Sequence, residues 1–286
     1  MDEPNIAVII VCYHPDNKKL LNLVHAVTSE KSIIYVANNG GMERSLIENL
    51  EKKDISVTTF NNVGLGKAIN EIAETLPESA QIIFTFDQDS APPDGFITNV
   101  WHHYQSLQDS DCQLGVLTPK FIDSRSGFEY SLDTINQSNK YSELLITLQS
   151  GMCIPKKVWE KEKFNNDLFI EFVDTEWCYR IHSKGYKILQ MNDVVMHHEV
   201  SDLAPKEFFK FKLLKYSPIR RYYFFRNAIF LLKQNYVPLY NKLRLLTGMG
   251  NRCMSILLLD DKKISSLTNS FKGIWHGIWM SNRKVK

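Results

Sequence analysis

Residues 83–90 read IFTFDQDS, an apolar β-type run that ends in Asp87 and Asp89 with one residue between them. On an extended strand end, residues two apart point the same way. The two carboxylates therefore repel unless a cation, hydrogen bonds or water offsets their charge. Two hard oxygen donors on one short loop suit a divalent ion such as Mg²⁺ or Mn²⁺ that keeps positions open for phosphate. The same pair also reads as an acidic turn after a strand, because a D-x-D triplet arises by chance in many proteins. Its setting favours a site: SAPPDGFI follows, with two prolines fixing the exit and a helix expected to begin near Asp94.

Three other stretches hold groups that could do chemistry. NNVGLGKAIN (61–70) puts Gly64 and Gly66 between a strand and a helix, where backbone approaches a ligand or simply turns sharply. It follows the third expected strand and lacks the third glycine of a dinucleotide fingerprint. FIEFVDTEWCYRIHSKGY (169–186) opens a helix with Asp174 and Glu176. These are first-turn charges at a helix N-terminus, or else Asp174 points into a cleft as a general base for a hydroxyl. VVMHHEVSD (194–202) ends an apolar run in His197 and His198. A histidine there can be structural; beside an acidic pair, His198, with His197 as the alternative, becomes a candidate third metal ligand.

The elements that must position these groups follow from periodicity. Continuous apolar β-type runs at 6–13, 32–39, 55–60 and 81–86 alternate with helical spacing at 17–28, 42–52 and 65–76. Such alternation implies a mostly parallel sheet with right-handed crossovers. Ligands bind beyond the carboxyl ends of its strands, where DQDS lies. Further strands are expected at 114–119, 145–155 and 186–191, a loop or hairpin at 123–142, and a helix at 174–185. From about 206 onward the pattern reads as helical, aromatic and basic. The fold class expected is α/β, with a catalytic unit over 1–205 and a helical basic extension over 206–286.

Composition narrows the classes. With 286 residues, 44% hydrophobic and 23% charged, the chain can bury a large core, and a disordered or collagen-like chain is excluded. The five cysteines are scattered with no C-x-x-C pair, which argues against a disulfide framework or zinc site and suits a reducing cytoplasm. The first residues, MDEPNIAVII, lack the basic flank of a signal peptide. The longest apolar stretch, YYFFRNAIFLL, is broken by Arg226 and falls short of the ~18 residues of a membrane span. Charge is uneven: residues 1–205 hold 17 Lys/Arg against 29 Asp/Glu, and residues 206–286 hold 17 against 3. The second set is a solvated helical face packed on the acidic part, or the footprint of an anionic surface. The acidic first part argues against nucleic acid as the partner.

Taken in order, the NNG after the second strand, NNVGLGKAIN, FTFDQDS, LQSGMCIP, FVDTEWCYR, MHHEVSD and YYFFRN resemble the GT-A glycosyltransferases of family 2. The chain is particularly similar to bacterial rhamnosyltransferases that build O-antigens and related cell-surface polysaccharides, over residues 6 to 230. The resemblance implies a GT-A fold, with a nucleotide-binding sheet flanked by helices. It implies nucleotide contacts at Tyr13, Asn38, Asn39, Asn62, Gly64, Gly66 and Asn70, with Ala68 in the same element, and at Asp87 and Gln88. The metal, Mg²⁺ or Mn²⁺, falls to Asp87, Asp89 and His198, the last in an element that includes Met196 and Asp202. The catalytic base falls to Asp174. ANNG stands where an Asp is more common, Val173 where relatives carry Glu, and Ser201 where they carry Gly.

The implied activity is inverting, metal-dependent transfer of L-rhamnose from dTDP-β-L-rhamnose to a saccharide acceptor on a lipid diphosphate. The alternatives are another nucleotide sugar, galactofuranose or a hexose, or a nucleotidyltransferase; the last would want a glycine-rich loop after the first strand, where CYHPDNKK has none. Arg220, Arg221 and Arg226 are expected to meet a diphosphate of donor or acceptor. The basic aromatic tail is expected to hold the enzyme at the anionic inner face of the cytoplasmic membrane without spanning it.

Overall fold

The computed structural model describes residues 6–108, 112–122, 129, 132–197, 206–208, 211–213 and 215–281. The chain opens with β1 (Ile6–Cys12), α1 (Asn17–Val27), β2 (Ser32–Asn38), α2 (Arg44–Glu51), β3 (Ser56–Thr59), α3 (Leu65–Ala73) and β4 (Ile82–Asp87). β1 is buried along its whole length, and its alternating residues serve opposite faces. Ala7, Ile9 and Val11 pack with Ala68, Ile69 and Ile72 of α3. Ile6, Val8 and Ile10 pack with Leu20 and Leu23 of α1 and Leu46 and Leu50 of α2. Helices therefore cover both sides of the sheet. Asp16 caps α1 by accepting from the Lys19 N–H at 2.9 Å.

Next come α4 (Phe96–Leu107), β5 (Leu114–Ile122), β6 (Thr134–Gln137), β7 (Tyr141–Leu144), β8 (Met152–Pro155), α5 (Lys156–Lys161), α6 (Val173–Ser183) and β9 (Lys187–His197). The last elements are β10 (Lys206–Phe208), β11 (Phe211–Leu213), α7 (Pro218–Lys233), α8 (Leu239–Leu259) and α9 (Lys263–Trp279). The large sheet has the order β3-β2-β1-β4-β8-β5-β9-β7-β6. β1 pairs in parallel with both β2 and β4, so the chain changes direction between those two neighbours and opens a crevice at their carboxyl ends. Beyond β4 the sheet is mixed: β8 runs antiparallel to β4, and β5 runs parallel to β9.

Two expectations are corrected. The strand expected over 145–155 exists only as Met152–Pro155. Ahead of it, the Thr85 hydroxyl donates to the Gln149 carbonyl at 2.7 Å, and Gly151 turns with φ 82°. Helix was expected from 206, yet Lys206–Phe208 and Phe211–Leu213 pair as an antiparallel hairpin; FKL alternates apolar and polar residues with a period of two, whereas KEF does not. Beyond the division expected at 205, α7 buries Ala228, Phe230 and Leu231 in the core shared with α3 and α6.

Candidate active site

Asp87 is the last residue of β4, opposite Val11 of β1. The strand interior is apolar but for Thr85, whose hydroxyl is engaged by the Gln149 carbonyl, so the first charged side chain appears where the sheet ends. Gln88 then ties the two strand ends together: its Oε1 accepts from the Tyr13 N–H at 2.7 Å and its Nε2 donates to the Tyr13 carbonyl at 3.2 Å. Both ends of this amide are engaged by backbone, so Gln88, expected at the nucleotide, also shapes the crevice. The Tyr13 ring is left 52% exposed over Gly40. Asp89 is exposed and lines a concavity with Asp94, His25 and His197. A β-bridge between Ala91 and His197 brings the end of β9 beside the acidic loop. His198 and Asp202 lie outside the described residues.

Asp174 reaches the same crevice from α6. The helix begins abruptly after Glu171 and Phe172, both with left-handed backbone at φ 62°, a conformation that costs non-glycine residues about 1 kcal/mol or more each. α7 holds this turn. Fully buried Asn227 donates to the carbonyls of Ile170 at 2.7 Å and Glu171 at 2.8 Å. Arg220 pairs with the Glu171 carboxylate at 2.7 Å. Asp174 Oδ2 accepts from the Gln149 N–H at 3.2 Å, and Oδ1 accepts from the Thr175 N–H at 2.7 Å. Glu176, two residues on, goes to the core instead, pairing with Arg180 at 2.9 Å and accepting from the Tyr236 hydroxyl at 2.7 Å.

The electrostatics tie the three segments into one site. Burial, with the charges of Asp89 and Asp174, lifts the Asp87 pKa to about 7, while Arg220 acts in the opposite direction. Burial also raises Asp174 above the ordinary carboxylate range, against the pull of its hydrogen bonds. β4, α6 and α7 thus deliver Asp87, Asp174 and Arg220 into each other's fields. Hard carboxylate oxygens with excess negative charge fit a divalent cation in chemistry. Asp87 and Asp89 supply two donors, and among the described residues no group of three His, Cys, Asp or Glu side chains is assembled to hold a metal.

Several residues expected to touch the nucleotide have internal partners. Asn70 is buried with its amide saturated: Nδ2 donates to the Phe164 carbonyl at 2.9 Å and to Asn166 Oδ1 at 2.7 Å, and Oδ1 accepts from Trp159 Nε1 at 3.0 Å and the Phe164 N–H at 3.2 Å. Gly64 has φ +90°, and a Cβ there would sit 2.8 Å from the Phe169 carbonyl oxygen. A Cβ on Gly66 would sit 3.0 Å from Val173 Cγ1. Both glycines let α3 pack against the 164–173 segment. Ala68 is buried in the core.

Asn38 Oδ1 accepts from the Gly40 N–H at 3.1 Å, and Asn39 Oδ1 accepts from the Val63 N–H at 2.8 Å. They brace the loop beside Tyr13, and Asn62 turns the chain with φ 44°. Arg221 is buried against Asp260, its Nη2 2.8 Å from Oδ1. Arg226 donates to the Asp167 carbonyl at 2.6 Å and lies over the Tyr223 ring, which stacks on Phe169. Of the three arginines, Arg220 acts on Asp87. Sequence reasoning missed Glu171, Phe172 and Asn227. The available signal was the final Asn of YYFFRN, a polar residue within an apolar helix.

No family model matches the chain. The dTDP-rhamnosyl transferase RfbF of Shigella flexneri is 29% identical over 255 residues, which is 84% of each chain. The solved S. aureus TarS 1-349 aligns with a TM-score of 0.59 at 14% identity, over 96% of this chain and 81% of that one. The same protein in complex with UDP-GlcNAc gives 0.57 at 14%, over 93% and 79%. GalNAc-T7, solved with UDP, GalNAc and Mn²⁺, gives 0.57 at 12%, over 87% of this chain and 55% of that one. At these identities the solved structures speak to the fold.

Proposed function

The chain is a GT-A-type glycosyltransferase, and from that premise we propose that it moves L-rhamnose from dTDP-β-L-rhamnose to a saccharide acceptor by a single inverting displacement. The donor sugar is suggested by the dTDP-rhamnosyl transferase relative. The observation that carries the mechanism is the convergence of Asp87, Asp174 and Arg220 from three remote parts of the chain.

Asp174 is the base. Its two oxygens are oriented by the Gln149 and Thr175 amides, and its raised pKa moves it toward the value a proton acceptor needs at neutral pH. It takes the proton of the acceptor hydroxyl as that oxygen attacks the anomeric carbon. Arg220, oriented by Glu171, sets positive charge beside the departing diphosphate. Asp87 and Asp89, with His198, would hold the Mg²⁺ or Mn²⁺, whose charge stabilises the leaving diphosphate when bound. Tyr13, exposed at the crevice edge, offers its ring to the base. A β-linked donor would then yield an α-L-rhamnoside.

The acceptor is proposed to be a saccharide on a lipid diphosphate, in O-antigen or related cell-surface polysaccharide synthesis at the inner face of the cytoplasmic membrane. The excess of Lys and Arg over 206–286 supports an anionic membrane surface as the second partner. The test incubates the purified protein, with Mg²⁺ or Mn²⁺ and a saccharide on a lipid diphosphate as acceptor, with dTDP-β-L-rhamnose, UDP-galactofuranose and UDP-hexoses in turn, measuring nucleotide release and product linkage. Release of dTDP with an α-L-rhamnoside is expected. Turnover of another donor alone would overturn the rhamnose reading.

A further inference from the structure

On α9 the usual arrangement of side chains is reversed. The residues facing α7 are small: Ser266, Ser270, Gly273 and Gly277 are buried. A Cβ on Gly277 would lie 2.5 Å from the Arg226 carbonyl oxygen, and one on Gly273 would collide with that of Tyr222. Leu267 and Ile274 pack partly buried against Phe224, Phe225 and Ile256, and the other large apolar residues face away. Ile264 is 83% exposed, Phe271 69%, Trp275 60% and Trp279 71%, with Ile278 among them. At 3.6 residues per turn these five fall within about 100° of one another. α8 has the same signature, with Leu239, Leu243 and Leu246 exposed at helical spacing.

Isolated exposed apolar residues need no explanation, but a contiguous aromatic stripe marks a covered surface. Charge identifies the cover. α9 carries Lys263 and Lys272 and no acidic residue, and Lys262 precedes it. Asp260 and Asp261, between α8 and α9, are taken up by Arg221 and Lys215. A second copy would bring lysines against lysines, whereas an anionic lipid surface matches both the charge and the Trp–Lys composition. Among the described residues no helix is long and apolar enough to cross a membrane.

We propose that α9 lies in the plane of an anionic bilayer surface, with Phe271, Trp275 and Trp279 entering the headgroup region and Lys263 and Lys272 meeting lipid phosphates. This deepens the proposed membrane partner and rests on that reading for the lipid-linked acceptor. The surface is one helix away from the chemistry: α7 packs against Gly273 and Gly277 of α9 and also carries Arg220 into the site.

The experiment mixes full-length protein with vesicles of equimolar phosphatidylglycerol and phosphatidylcholine, or of phosphatidylcholine alone. It measures sedimentation and tryptophan emission. Trp101, Trp159 and Trp177 are buried in the core, so a blue shift on binding reports Trp275 and Trp279. Binding to the anionic vesicles at low salt is expected, weakening as salt is raised. The W275S/W279S double variant should bind at least ~10-fold more weakly. Donor hydrolysis without vesicles, read in parallel, should be unchanged in that variant, so failure of the sugar-transfer reading is scored separately. Equal binding by the variant overturns the proposal. So does a wild type that ignores both vesicle types, or one whose tryptophan stripe instead forms a concentration-dependent dimer.

Discussion

The side-chain amide of Asn227 donates to the carbonyl oxygen of Glu171 at 2.8 Å across 56 residues of chain. The same amide holds the Ile170 carbonyl at 2.7 Å. Removing it leaves two carbonyls without their buried donor, next to a turn already strained at Glu171 and Phe172. Asn227→Ala should therefore lose about 1–3 kcal/mol of stability. It should also lower kcat more than it raises the donor KM, because Asp174 loses its orientation while Asp87 and Asp89 keep theirs. Asn227→Asp, which turns an oxygen toward the carbonyls, should be no better. Steady-state kinetics with thermal melts would check this; a KM effect alone would remove Asn227 from the positioning of Asp174.

Asp174→Asn keeps the volume and removes the proton acceptor. Transfer should fall by ~10²–10⁴-fold, the span of general-base catalysis, with donor affinity retained. Donor affinity can be followed by calorimetry with dTDP. Retention of most turnover would make Asp174 a helix-start charge and nothing more.

Asp87→Asn separates stability from activity. The folded pKa of Asp87, about 7, lies above its ordinary value of 3.8, so the folded state holds a proton that the unfolded state has released. That contribution to stability is fully present below about 4 and is lost as pH rises through about 7. In metal-free protein at pH 8 the asparagine variant should be more stable than wild type by roughly 1–2 kcal/mol, allowing for partial exposure to water. The gain should vanish near pH 4. Transfer should be abolished at every pH. Melting curves in chelator at the two pH values give the answer, and equal Tm values at pH 8 would refute the unfavourable charge at Asp87.

Gly64→Ala tests what the glycine is for. Its φ of +90° and a Phe169 carbonyl oxygen 2.8 Å from where a methyl would sit leave no room for a side chain. The substitution should cost about 2–4 kcal/mol. Impaired dTDP binding at unchanged Tm would instead restore Gly64 to the nucleotide.

The first four strands and three helices were legible because their apolar runs are continuous or recur at helical spacing, with short connections. The acidic pair and Asp174 were legible because each sits at an element end. β6 was legible only as part of a loop or hairpin: all four of its residues are exposed, so no buried face imposes an alternating pattern. The roles of Gly64 and Gly66 were not legible either, since a glycine needed for close packing and one needed for a ligand look alike in sequence. Adjacent arginines show the same limit. Arg220 and Arg221 differ by one position, about 100° around a helix, and that rotation sends one to Glu171 and the other to Asp260.

Asn70 joins α3 to Trp159, Phe164 and Asn166 with every hydrogen-bonding position of its amide in use, and Gly64 and Gly66 fit the same segment. The half of the molecule that would receive the donor and the segment leading to Asp174 are thereby one packed unit rather than exchangeable modules. A chimera that imports 159–173 from a relative must import 64–70 with it. Grafted alone, the loop would arrive without the amide that reads its backbone, and the turn that leads into Asp174 would be disturbed with it.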